Sequence, residues 1–233
     1  MHHKLTHRQA LADCEACRVG KTRYRKRKNR WMYRKPTESW GERGSMDVIY
    51  MKDWFGEPGV GGFTGVLNYA DEHIGCVHPE PIKEHDSLTV VECLRMIQGD
   101  HKIQRIYSDS APEFKRACKN LQIMWEASTP GMHNSNARIE RKNLDLEADV
   151  RTTLFEAGLP ACWWPYAVWF VTFLSRRTTR TNDEGHFVRS DWQQRYNTDE
   201  HWGGKALPLG CGVYFKPSPT KWTPSKAAPR LAW

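Results

Sequence analysis

Ser108-Asp109-Ser110-Ala111-Pro112-Glu113-Phe114 follows the short apolar run 103–107, and Thr129-Pro130-Gly131-Met132-His133-Asn134-Ser135-Asn136-Ala137-Arg138-Ile139-Glu140-Arg141-Lys142-Asn143 lies a little further along. The first stretch sets a carboxylate where a buried-type strand gives way to a helix opened by proline. The second sets one in the opening turn of a long helix capped by Asn136, where the helix dipole favours the ionised form. Upstream, Gly44-Ser45-Met46-Asp47-Val48-Ile49-Tyr50-Met51 carries a third on an apolar strand. Three carboxylates that converge from separate elements can hold two divalent cations, and such a pair activates an attacking oxygen while neutralising the leaving one in phosphodiester transfer. Taken singly, each acid reads as a cap or a turn former. The ordered trio points to DNA chemistry.

Working outward, the pattern predicts strands over 46–52, 63–69 and 73–78, with turns at 56–62 and 70–72. A helix follows over 87–98, its apolar Leu88, Val91, Leu94 and Ile97 recurring on one face. Then come the strand 103–107, a helix over 112–121, a strand over 122–126, and the long helix from Asn136 to Ala157, stopped by Gly158. An apolar helix starts near Pro165 and ends at Arg176 and Arg177, and 178–207 reads as a polar connector. Antiparallel strands leading into strand–helix–strand give an α/β fold, a mixed sheet with flanking helices.

The two stretches quoted first resemble the catalytic core of retroviral-type integrases, most closely those of copia-like LTR retrotransposons. That family writes Ser-Asp-Asn-Gly-x-Glu-Phe around its second Asp and Tyr-Thr-Pro-x-x-Asn-Gly-x-x-Glu-Arg-x-Asn around its Glu, so Asp109 and Glu140 fall on the matching positions. Asp47 matches the first Asp through a looser pattern. The likeness runs from about residue 14 to about residue 215 and is specific over 108–143. Here the family's Asn-Gly pairs read Ser110-Ala111 and Asn136-Ala137, and the 30 residues between Asp109 and Glu140 are fewer than the family's usual count. The resemblance implies a ribonuclease-H-like fold and catalytic residues Asp47, Asp109 and Glu140 holding Mg2+ or Mn2+. Asp47 and Asp109 hold the first ion, and Glu140 with one of them the second. It also implies trimming of DNA 3′ ends with water, followed by attack of the new 3′ hydroxyl on a target phosphodiester. Homo-oligomers follow, because two DNA ends are joined together, and so does a nuclear place of action.

Charge placement fits a polyanionic partner. Residues 1–36 carry a net +10, residues 202–233 a net +5, and the stretch between them −7, within a total of +8. An acidic core with basic arms suits an enzyme that keeps carboxylates for metal and cations for phosphate. In the basic run 21–36, Tyr24, Trp31 and Tyr33 stand among the cations, a mixture that can stack on bases, although such runs are commonly solvated linkers. Cys14 and Cys17 have knuckle spacing, and His3 and His7 can complete a tetrahedron for Zn2+. In the integrases the corresponding His–Cys interval is longer, and a Cys-x-x-Cys met by chance stands as the other reading. Seven cysteines, an odd number, indicate a reducing, intracellular setting. The 14-residue apolar stretch 161–174 is too short to span a membrane.

This organisation divides the chain into a His/Cys segment with a basic linker at 1–36, a catalytic core at 37–178, and a connector leading into a C-terminal β segment at 179–233. Gly210-Cys211-Gly212-Val213-Tyr214-Phe215 resembles the first strand of a small SH3-like barrel that the chain ends too early to close. Two rival functions remain on this fold: a non-catalytic nucleic-acid-binding remnant of a retroelement, and a nuclease.

Overall fold

The structure, a computed structural model, describes residues 35–128, 137–181, 186–204, 207–215 and 230–232. The chain divides into two compact units, Met1–Pro36 and Thr37–Trp233. His3, His7, Cys14, Cys17 and the basic run lie outside the described residues, as does His133.

Five strands form one sheet: β1 (Gly44–Tyr50), β2 (Gly65–Asp71), β3 (Val77–Ile82), β4 (Arg105–Ser108) and β5 (Met124–Ala127). Their order is β3-β2-β1-β4-β5. The first three pair antiparallel, while β1, β4 and β5 run parallel. Parallel neighbours need crossovers, and the helices α1 (Ser87–Gln98) and α2 (Pro112–Asn120) supply them. On that side Met46, Leu67, Tyr69 and Ile106 pack against Val90, Val91 and Leu94 of α1 and Phe114 and Ala117 of α2. The opposite face is covered by α3 (Ala137–Ala157) and α4 (Trp164–Arg177), where Ile49 and Val66 meet Leu146, Val150, Leu154, Trp164, Ala167 and Val168. Trp164 is thus a core residue, whereas Trp169 stays 39% exposed with its ring edge-on to Phe63. Cys76, Cys93 and Cys118 are buried free thiols, and Cys162 is only half-buried.

The structure departs from the sequence expectation at the third strand and after α4. The third strand begins four residues late because Asp71 makes a longer turn than its neighbours suggest. Its Oδ1 accepts from the N–H groups of His73 and Ile74, at 3.0 and 2.9 Å, and Gly75 turns the chain at φ +75°. Strand β3 contains Pro79 and Pro81, which read as strand breakers. It lies at the sheet edge, where missing N–H donors are tolerated.

The polar stretch after α4 is not a bare connector. It holds the two-stranded pair β6 (Arg180–Thr181) and β7 (Phe187–Val188), then α5 (Asp191–Tyr196), opened by a reciprocal capping box between Ser190 and Gln193. The Arg195 guanidinium donates to the carbonyls of Ile97 and Gln98 at 2.7 and 2.8 Å and lies 3.7 Å over the Trp40 ring. Two carbonyls at the end of α1 gain a charged donor in this way. Strand β8 (Val213–Phe215) pairs antiparallel with β9 (Arg230–Ala232). No helix among the described residues is long and apolar enough to cross a membrane.

Candidate active site

Pairing register brings the first two acids together. Gly44 pairs with Ile106 and Ser45 with Tyr107 across the parallel strands, and carrying this register two residues further sets Asp47 level with Asp109. Alternation along β1 puts Met46 on the α1–α2 side, so Asp47 faces α3. Both acids line one cleft of about 70 Å³ with Tyr50, His85 and Glu113. Asp109 is exposed and tied locally, its Oδ1 accepting from the Ala111 N–H at 3.3 Å. Glu140 sits exposed in the first turn of α3. Of the cations beside it, Arg138 reaches Glu72 at 3.6 Å and Arg141 reaches Asp145 at 3.3 Å.

Asp47 is half-buried, and burial raises its carboxyl above the ordinary carboxylate range. The charges of Asp109 and Glu140 push the same way, against hydrogen bonds from the Val48 N–H and the Asn143 amide. The three acids therefore feel one another, and a shared cation would relieve that repulsion. Three carboxylates are also the hard oxygen donors that magnesium or manganese takes. Among the described residues, no group of three His, Cys, Asp or Glu side chains is drawn together tightly enough to hold a metal ion as placed.

Two residues without an assigned role in the sequence reading complete the site. Asn143, one turn beyond Glu140 on α3, donates from Nδ2 to Asp47 Oδ2 at 2.9 Å. Its Oδ1 accepts from Asn68 Nδ2 at 2.8 Å. Asn68 is the direct antiparallel partner of Asp47 on β2 and is fully buried, with its own Oδ1 unpaired. The signal for it was present: one polar side chain inside the fully buried strand Gly65-Val66-Leu67-Asn68-Tyr69-Ala70.

Strand order and crossover helices, with Asp47 within β1 and Asp109 just past the end of β4, match the ribonuclease-H-like fold of retroviral integrase catalytic cores. The simian T-cell lymphotropic virus intasome, solved with the PP2A regulatory subunit B56 gamma, matches over 99% of this chain and 87% of its own, at TM-score 0.57 and 17% identity. The HTLV-2 integrase catalytic core domain, solved with magnesium in a trimeric form, matches over 67% of this chain and 97% of its own, at TM-score 0.50 and 16% identity. In sequence, the Pro-Pol polyprotein of simian foamy virus type 3 is 31% identical over 112 residues, 46% of this chain. The matched region is 10% of that polyprotein's length. No family model matches the chain.

Proposed function

We infer that this chain is an integrase-type polynucleotidyl transferase of a retroelement. The observation that carries the reading is Asp47 beside Asp109 on one sheet face, electrostatically coupled to Glu140 from the helix above. In the reaction, a water oxygen attacks a phosphorus near a DNA 3′ end and the leaving strand departs from it. The new 3′ hydroxyl then attacks a target phosphodiester in line, its P–O bond forming as the target strand's own 3′ oxygen leaves that phosphorus. Asp47, Asp109 and Glu140 are the residues that would hold magnesium or manganese, which when bound supplies activation of the attacking oxygen and neutralisation of the leaving one. Asn143 and Asn68 fix the direction of the Asp47 carboxylate. The basic stretches at 1–36 and 202–233 supply phosphate contacts that position DNA without reading its sequence. Joining two DNA ends calls for a homo-oligomer working in the nucleus. The copia-like assignment rests on the residues flanking Asp109 and Glu140. Zinc at His3, His7, Cys14 and Cys17 belongs to the same reading.

The test is joining of oligonucleotide duplexes in magnesium by wild type and by Glu140→Gln, which keeps size and polarity but supplies no charge to a metal. Joining by wild type alone, with DNA affinity retained in the variant, supports the reading. Full joining by Glu140→Gln means that the third carboxylate lies elsewhere. Binding without strand breakage or joining in wild type identifies the non-catalytic remnant, and hydrolysis without joining a nuclease.

A further inference from the structure

We propose that the Tyr50–His85 ring pair, on the α1–α2 side of the sheet, is a stacking platform for one unpaired DNA base at the rim of the cleft that Asp47 and Asp109 also line. The proposal rests on the functional reading above. Tyr50 ends β1, three residues beyond Asp47, and is 72% exposed. Its ring lies against the His85 ring, centroids 4.5 Å apart and planes 21° from parallel. Both side chains line the cleft that holds the two acids.

The pair is held in place before any ligand arrives. Thr64 Oγ1 donates its one proton to the Lys83 carbonyl at 2.9 Å, so toward His85 Nε2, 3.3 Å away, it can only accept. The ring nitrogen is therefore the donor, which fixes the imidazole on its inner side. Gly65 leaves the room this takes: a Cβ there would stand 3.1 Å from His85 Cε1 and 2.7 Å from the Ile49 carbonyl. An ordered aromatic stack loses little side-chain freedom when a third ring joins it. His85 covers one face of Tyr50, and the ring's high exposure leaves the other open.

Charge chooses the occupant. Asp47 and Asp109 repel a bare phosphate chain, so DNA approaching them gains from an uncharged contact within the same cleft. The face of a nucleobase supplies one, and any of the four bases will do. A base inside a duplex already has both faces covered, so the platform takes one at a frayed or overhanging end.

The experiment places 2-aminopurine at successive unpaired positions of an overhanging duplex and follows its fluorescence on binding, in calcium, where no joining interferes. Wild type is expected to quench the probe at one position. Tyr50→Ala and His85→Ala, which removes the ring that backs Tyr50, are expected to leave it bright and to weaken binding of that duplex about 10-fold. Tyr50→Phe keeps the ring and should retain the quenching. Equal quenching by wild type and Tyr50→Ala, or none at saturating wild type, overturns the platform. Joining is measured separately in magnesium. Quenching that depends on Tyr50, in a protein that never joins DNA, upholds the platform and sinks the enzymatic reading. Joining without such quenching sinks the platform alone.

Discussion

Replacing Asn68 with leucine separates holding the fold from aiming a carboxylate. Asn68 Nδ2 donates to Asn143 Oδ1 inside the protein, and its own Oδ1 is buried without a partner. The substitution leaves the Asn143 acceptor unmet, which costs about 1–3 kcal/mol. It also deletes an unpaired buried carbonyl whose cost is of the same order. The two nearly cancel, so Asn68→Leu should lie within about 1 kcal/mol of wild type in urea unfolding. Asn143→Leu has no such offset. It strands the Asn68 Nδ2 donor beside the already unpaired Oδ1 and removes a donor from the half-buried Asp47, a loss of about 3 kcal/mol.

Activity should divide differently. In Asn68→Leu nothing fixes the Asn143 amide, so the Asp47 carboxylate turns more freely and the joining rate should fall about 10-fold, equivalent to ~1.4 kcal/mol of barrier. The assays are urea melts and single-turnover joining of a pre-trimmed duplex. If Asn68→Leu destabilises as much as Asn143→Leu, or joins at the wild-type rate, then the relay does not aim Asp47.

His78 is buried beside Cys76, and burial, with the charges of Arg176 and Arg195, lowers its pKa well below 6.5. A His held neutral in the fold contributes stability that is present above 6.5 and is lost as pH falls through it. The slope approaches about 1.4 kcal/mol per pH unit. His78→Phe should flatten the urea midpoint between pH 7 and 5 relative to wild type, and equal slopes would contradict the assignment. Arg195→Lys should destabilise by about 2 kcal/mol, because an ammonium has no flat face to lay on Trp40 while it donates to the Ile97 and Gln98 carbonyls; a melting curve like that of wild type would refute the docking role of α5. Deleting residues 18–36 should weaken duplex binding and flatten the plot of log affinity against log salt by about 0.9 per lost phosphate contact; an unchanged slope would take that arm off the DNA.

Legibility in the sequence tracked how local each cause was. Helix α1 was legible from its apolar repeat, of which Val91, Leu94 and Ile97 are buried while Leu88 stays exposed; its ends are local, Asp86 accepting from the Thr89 N–H and Gly99 ending the turn. The fold class followed from strand and helix order, and Asp47, Asp109 and Glu140 were read as candidates from their flanks. Strand β3 starts four residues later than the pattern suggests because the Asp71 carboxylate and Gly75 hold a longer turn, and it runs on through Pro79 and Pro81 because it lies at the sheet edge, a tertiary fact. Helix α5 was missed for a related reason: six residues are too few for a periodic signal, and its anchor, Arg195, acts on carbonyls nearly a hundred positions earlier.

Asn68 and Asn143 fall between these cases. Each was in plain view, one polar residue in an apolar strand and one in the stretch that carries Glu140, yet neither had a reason to be polar alone. Their reason is the pairing of β1 with β2, which sets Asn68 opposite Asp47, and the seating of α3 over both. Burying two amides in that layer is worth its desolvation only if each satisfies a neighbour, and the chain of donors ends on Asp47, a carboxylate that the fold itself desolvates. The unpaired Asn68 Oδ1 is what the fold gives up to keep that carboxylate aimed.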